Sequence, residues 1–197
     1  MPLLAQGLLI AAALSSAPPA AEQVLIDGTT FTYASSAKSD GATLVEFVAP
    51  GESIDHWEKL VSIQCHPSAT ALKDVINPYL EARKDLIAVR PEFLRNKPGS
   101  LDDLSIVLFL GKPGMPQLEF VIARFAEAKP AGVAMVAYSR RFPMGKNVDV
   151  SVAMEGKSRW KDQLASISIE QLATSCALAS PEPAAKADIP PPPEPPA

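Results

Sequence analysis

Cysteine and histidine are the scarcest of the chemically versatile residues in this chain, two of each among 197. That scarcity argues against a zinc centre, because a structural zinc needs four ligands and His56, Cys65 and His66 follow no zinc spacing. It also leaves little for thiol catalysis. A Cys nucleophile needs a base within hydrogen-bond reach and a group to orient that base, and adjacency of Cys65 to His66 in the sequence supplies neither. There is no Gly-rich phosphate loop, no Ser nucleophile elbow and no helix with paired metal-binding histidines. Positive charge is short as well: 18 Lys and Arg stand against 22 Asp and Glu, for a net charge of −4. A nucleic-acid binder needs a basic face, so that class of partner is not expected. No catalytic residue, metal or cofactor is assigned from the sequence.

Charge is missing altogether from Met1 to Ala20. Leu3 to Leu14 is nearly unbroken Leu, Ile and Ala, the length of a signal-peptide hydrophobic region and too short to span a bilayer. Ser15-Ser16-Ala17 resembles a cleavage site, although Pro18 follows directly; a cut after Ala20 or Ala21 places a proline three positions back. The first residues lack the customary Lys or Arg, and no cysteine follows for a lipid anchor. The expectation is a signal peptide over residues 1–20, export to the periplasm or cell exterior, and no transmembrane segment in the mature chain. The competing expectation is an N-terminal helix of the folded domain.

Hydrophobic residues are abundant, at 47%, enough to exclude global disorder. They are densest from Asp103 to Arg141, where Leu104–Leu110, Leu118–Glu127 and Val133–Arg141 read as three strands. The turn residues Gly111-Lys112-Pro113-Gly114-Met115-Pro116 and Lys129-Pro130-Ala131-Gly132 separate them. Loops this short join antiparallel neighbours, since a parallel crossover needs a dozen or more residues. Side chains alternate between faces along a strand. The middle run therefore puts Leu118, Phe120, Ile122, Arg124 and Ala126 on a core face, with Glu119, Val121, Ala123, Phe125 and Glu127 opposite on a partly covered one.

Before this meander, Val24–Ile26 and Thr30–Tyr33 flank Asp27-Gly28, a hairpin signal in which Thr29 lengthens the loop. Thr43–Val48 reads as another strand. Ile54, Trp57, Leu60 and Val61 recur at helical spacing after Ser53, predicting an amphipathic helix closed by Gln64-Cys65-His66-Pro67. A second helix, starting at Ser68 or Thr70, carries Leu72, Val75, Ile76, Tyr79 and Leu80. Pro78 should kink it or divide it in two. Leu86–Val89 is a candidate strand and Pro91–Ser100 a loop. Beyond the meander, Asn147–Met154 alternates as a strand would, and Ser158 caps a helix bearing Trp160, Leu164 and Ile167. Residues 181–197 are proline-rich and predict a disordered, extended tail.

The order of elements resembles the PsbP/Mog1-like α/β fold, including small exported bacterial proteins of the DcrB type. The resemblance lies in the Phe47–Leu60 passage and the Leu118–Arg141 strand pair. It implies a binding or accessory protein without shared catalytic residues. The expected architecture is thus a single α+β domain over residues 22–180, mainly an antiparallel sheet with a central three-strand meander, packed by amphipathic helices. An unknown small molecule or protein is the expected partner, and a small hydrolase or thiol enzyme using Cys65 and His66 is the alternative.

Two site expectations follow from individual residues. Arg124 is turned toward the core face, so its guanidinium must be paired or look into a wet pocket. There it would hold a carboxylate or phosphate with Arg140 beside it, or else reach water at a bulge or strand end. Cys65 and Cys176 either form a disulfide or remain two buried thiols.

Overall fold

A computed structural model describes residues 23–39, 41–128, 132–144 and 148–178. The expected signal peptide (residues 1–20) and proline-rich tail (residues 181–197) lie outside them, as do residues 129–131 of the second turn. The fold is α+β, built on one eight-stranded antiparallel sheet. Its strands are β1 (Gln23–Ile26), β2 (Thr29–Ser39), β3 (Ala42–Val48), β4 (Lys59–His66), β5 (Glu92–Arg95), β6 (Asp103–Leu110), β7 (Gln117–Glu127) and β8 (Val133–Pro143). The order across the sheet is β1-β2-β3-β4-β8-β7-β6-β5. Two four-stranded meanders thus meet at their last strands, and β4–β8, not β7, forms the middle. Helix α1 (Lys73–Glu81) follows β4, while α2 (Ser151–Ser166) and α3 (Ile169–Leu178) follow β8.

Several segments differ from the reading of their sequence. The first hairpin has a two-residue turn, with Ile26 paired to Thr29. Asp27 (φ 53°) and Gly28 (φ 69°) are both left-handed, the type I′ geometry whose twist suits flanking strands, so Thr29 belongs to β2. The stretch expected to be a Trp57-bearing helix instead leads into β4. Val61, Ile63 and Cys65 point to one face and Leu60, Ser62, Gln64 and His66 to the other, a period of two that the coincident Ile54/Trp57/Leu60/Val61 spacing masks. Glu92–Arg95 pairs with β6 at the sheet edge, where a loop was expected. Leu86 closes a short 3-10 helix (Lys84–Leu86) and Ile87 makes a single bridge to Leu110 rather than a strand. Val150 and Val152 belong to the start of α2, so Ser158 is mid-helix and caps nothing.

Helix α1 runs unbroken through Pro78. The proline is exposed, so the Asp74 carbonyl it deprives of a donor can be met by water. Asp74 organises the helix start by accepting the backbone N–H groups of Thr70 and Ala71 at 3.1 and 3.0 Å and the Thr70 hydroxyl at 3.0 Å.

The sheet is buried on both sides, by different helices. On one face Phe31, Phe47, Val61, Phe120, Ile122 and Tyr138 pack against Trp160 and Leu164 of α2 and Leu172 of α3. Gly156 lets the indole lie flat on the helix, since a Cβ there would fall 2.4 Å from the Trp160 ring. On the other face Val75, Ile76 and Tyr79 of α1 cover Ile106, Leu108, Val121, Phe125 and Met135. Trp57 sits on this second side, in a small cluster with Val48 and Leu60. The two tryptophans therefore serve opposite faces.

Arg124 holds the first face to its helices. It is 3% exposed and makes a fork with Asp103, Nε to Oδ1 at 2.9 Å and Nη2 to Oδ2 at 2.8 Å. Its Nη1 donates to the carbonyls of Leu164 (2.8 Å) and Ile167 (2.6 Å), at the negative end of α2 where a cation is favoured. Asn96 donates to Asp103 Oδ1 at 2.7 Å and accepts from the Ser105 hydroxyl at 3.0 Å. Burial pushes the Asp103 carboxyl up, but the hydrogen bonds from Arg124 and Asn96 and the charges of Arg124 and Lys97 outweigh it and leave the group below its ordinary value.

Because the folded pKa of Asp103 is depressed, its stabilisation is present above the unfolded value of about 3.9 and is lost as pH falls through the folded value. Asp103→Asn is expected to cost about 3–5 kcal/mol at neutral pH by stranding a buried guanidinium. It should also flatten the acid limb of a denaturant-midpoint against pH curve below about pH 4. The double replacement Asp103→Leu with Arg124→Met should recover part of the loss, since an apolar pair strands no charge. An unchanged acid limb in Asp103→Asn would rule out this role for the pair.

Candidate functional site

The residues singled out from the sequence do not assemble into one site. Arg124 is occupied by Asp103 and the end of α2, so it neither faces a wet pocket nor reaches water at a strand end, and it is withdrawn as a ligand-binding residue. Arg140 shares its face, as alternation requires, but lies four residues along the β7–β8 ladder, roughly 13 Å away at strand spacing. Arg140 instead lies over Phe142 and Trp160, 5.6 Å from each ring, and 4.0 Å from Asp27. Arg159 pairs with the same Asp27 at 2.5 Å, and Gln163 Oε1 accepts the Asp27 N–H at 3.1 Å. This cluster pins the first hairpin to α2, which is a packing role.

Cys65 and His66 are neighbours on β4 and leave the sheet on opposite sides. Cys65 is buried among the α2–α3 core, and no described cysteine carries a free thiol. His66 faces the other way; burial lowers its pKa, and its Nε2 has no hydrogen-bond partner. The geometry brings no base to the sulfur. Cys176 lies in α3, its side chain outside those described, and α3 packs on β3, β4 and β8. Among the described residues no group of three or more His, Cys, Asp or Glu is placed to hold a metal ion, and no helix is long and apolar enough to cross a membrane.

A site the sequence reading missed lies on the second face, where α1 stops covering the sheet. Helix α1 blankets β6, β7 and β8 but leaves the floor made by β3 and β4 half-buried. Along that boundary opens a cavity of about 200 Å³ lined by Glu46, Ser62, Gln64, Tyr79, Arg83, Glu119 and Ser139, with apolar neighbours including Leu60, Val121 and Met135. The strand register assembles it. Glu46 pairs with Ser62, so hydrogen-bonding side chains from β3 and β4 stand side by side; Ser62 pairs in turn with Ala137, and Ser139 stands two residues further along β8. Ser35 donates to Glu46 Oε2 at 2.7 Å and fixes that carboxylate.

Arg83 is placed by the end of α1. Its Nη1 donates to the Tyr79 carbonyl at 3.1 Å and its guanidinium lies 3.8 Å over the Tyr79 ring. Tyr79 packs edge-on against Phe125 at 5.3 Å, which anchors the rim to the core. Burial raises the Tyr79 pKa, and the Arg83 charge opposes that rise.

Glu119 is the group with chemistry in it. Burial pushes its carboxyl above the ordinary value; a hydrogen bond from Ser139 and the charges of Arg141 and Arg83 offset this only in part. It also lines a second cavity of about 210 Å³ with Leu86, Met115, Gln117 and Arg141. Arg141 in turn lies 3.5 Å over Trp57 and borders a third, of about 390 Å³, beside Asp55, His56 and Glu58. The signal for Glu119 was present in the sequence: glutamate occurs on only one face of β7. The β4 side of the cavity, Ser62 and Gln64, was hidden because that strand read as a helix.

Glu119 and Glu46 stand three strands and about four residues apart, roughly 19 Å between backbones. The arrangement can hold a polar molecule by several directed hydrogen bonds. Because the folded Glu119 pKa is raised, its ionisation opposes folding as pH rises through and above the unfolded value. Glu119→Gln should therefore be at least as stable as the parent at pH 7 and fall behind it as the pH drops toward 4, measured by urea midpoints. A variant that loses more stability relative to the parent at pH 7 than near pH 4 would contradict the burial of that carboxyl.

No curated protein and no solved structure matches the chain. A protein-family model matches residues 19–169, which takes in every strand from β1 to β8 together with α1 and α2. That is more than half of the chain, which therefore belongs to the family this model defines.

Proposed function

We propose that this chain is a non-enzymatic binding or accessory protein of the periplasm or cell exterior, and that the cavity between α1 and the β3–β4–β8 floor is where it takes its ligand. The carrying observation is the boundary itself. Ser62, Gln64, Ser139, Glu46 and Glu119 turn hydrogen-bonding groups into a recess at the edge of α1, walled by Tyr79 and Arg83, beside faces packed by apolar side chains. A fold optimised only for burial would place apolar residues there. Concave sites with a few convergent polar groups and a shifted carboxyl are the usual form of a binding site. The resemblance to PsbP/Mog1-like proteins, a group of binding and accessory proteins, supports the same class, although the segment carrying Trp57 is not helical.

Export is supported by the uncharged, apolar first twenty residues. It is supported also by the absence of a free thiol at Cys65, because stable disulfides belong to oxidising compartments. With one other cysteine in the chain, Cys176 is the proposed partner. Their bond would tie α3 to β4 and close a loop of about 110 residues, worth up to roughly 4–5 kcal/mol in the chain-entropy model.

Two measurements test these readings. Thiol titration of the exported protein in denaturant should find no reactive cysteine before reduction and two afterwards; two reactive thiols without reductant would remove the bond. Backbone amide shifts recorded against a set of small polar metabolites should move at Ser62, Gln64, Glu119 and Ser139 for at least one compound. Shifts that avoid these four positions for every compound that binds would move the site elsewhere.

A further inference from the structure

From the distribution of charge around this cavity we infer that its ligand is a short peptide with free termini, held by both ends. The inference rests on the reading of the cavity as a ligand site and specifies the chemistry of its occupant. A carboxylate, Glu46, stands over β3 at one end, and a guanidinium, Arg83, stands at the other beside Glu119. Between them the floor carries neutral hydrogen-bonding groups, Ser62, Gln64 and Ser139. An anion alone would meet Glu46 and a cation alone would meet Arg83. A molecule with an ammonium at one end, a carboxylate at the other and amides between them satisfies all three zones.

Length agrees with charge. Glu46 and Glu119 are roughly 19 Å apart at the backbone, and two glutamate side chains reaching inward leave about 10 Å, the span of three extended residues. Glu46 is already oriented, with the Ser35 hydroxyl on one oxygen and the other left for an ammonium. Arg83 is likewise held by the Tyr79 carbonyl and ring, so little of its side-chain freedom remains to be lost on binding. Glu119 beside Arg83 is offset by two cations, Arg83 and Arg141, and burial raises its pKa, which reduces its repulsion of a peptide carboxylate. A glycan fits less well. Sugar recognition wants an open aromatic face, and the rings along this boundary are already covered, Tyr79 by Arg83 and Trp57 by Arg141.

The test uses the full mature chain and four probes: trialanine, its N-acetyl form, its C-terminal amide and the doubly blocked peptide. Affinity is read by calorimetry, and position by the amide shifts of Ser62, Gln64 and Ser139. Trialanine should bind and move those amides, and blocking either end should weaken it by roughly tenfold or more, the worth of a charge-assisted hydrogen bond. In Glu46→Gln, N-acetylation should have no further effect; in Arg83→Gln, amidation should have none. Both side chains are half-exposed, so neither substitution should unfold the chain, and thermal melts of the two variants check this.

A doubly blocked peptide that binds as well as trialanine overturns the inference, because the ends are then not read. So does trialanine that leaves the three amides unmoved. If in that case a metabolite from the broader set does move them, the cavity stands as a site for another class of ligand. If nothing moves them, the binding reading falls with the inference.

Discussion

The buried pair of Asp103 and Arg124 is the constraint on which the layering depends. A guanidinium at 3% exposure is tolerable only when its donors are matched, and here they are matched by groups from two separate elements. The Asp103 carboxylate comes from β6, and the Leu164 and Ile167 carbonyls come from the end of α2. Desolvating an ion costs several kcal/mol even after relaxation, so any displacement of α2 along the sheet would expose that cost. Apolar contact between Trp160 and the sheet supplies the attraction, but it is non-directional. The charged fork adds position: it fixes where along β7 the helix ends, and hence where α3 begins its path across β8 and β4.

That fixed path explains why the two faces differ. The first face receives two helices and the first hairpin, docked through Asp27 to Arg159 and Gln163, and it is closed. The second receives only nine residues of α1, which cover β6 to β8 and stop. The connection from β4 in the middle of the sheet to β5 at its far edge has to cross these strands, and α1 is that crossing. The topology therefore obliges the helix to lie over one meander and leave the other's middle strands open. Polar side chains at Glu46, Ser62 and Gln64 suit that opening and would be costly anywhere under a helix.

How much of this was legible in the sequence depends on period and punctuation. Residues 104–110, 118–127 and 133–141 lie within a few positions of β6, β7 and β8 because long apolar runs bounded by Gly and Pro have one economical reading. The Asp27-Gly28 turn was equally plain, since left-handed geometry at two successive positions selects those residues. β4 was not. Leu60 and Val61 are adjacent and both buried, one on each face of the sheet, and together with Ile54 and Trp57 they imitate a helical stripe. A strand covered on both faces loses the alternation that identifies it; the opposite happened at Val150 and Val152, whose alternation imitates a strand although they open α2. Arg124 was placed on the correct face by alternation alone. Its partner was not identified, because Asp103 sits diagonally across the ladder, opposite Ala126 rather than Arg124, and sequence offers no direct measure of such an offset.

The same offset governs the cavity, and this is why a sheet can carry a site that no single segment announces. Glu119 belongs to β7, Ser139 to β8, Ser62 to β4 and Glu46 to β3, and each alone looks like an ordinary solvent-facing residue of a half-exposed strand. They converge because three successive antiparallel registers bring them to one side of the sheet, and because Arg83, just past the end of α1, lies beside them. Had β8 paired with β4 one residue out of step, Ser139 and Arg141 would have turned into the α2 core and Arg140 out of it. The registers that bury Tyr138 and Val136 against Trp160 are therefore the ones that present Ser139 to Glu119. Packing on the closed face sets the chemistry of the open one, so a substitution in the Trp160 core that shifts β8 should be felt at the cavity before it is felt as unfolding.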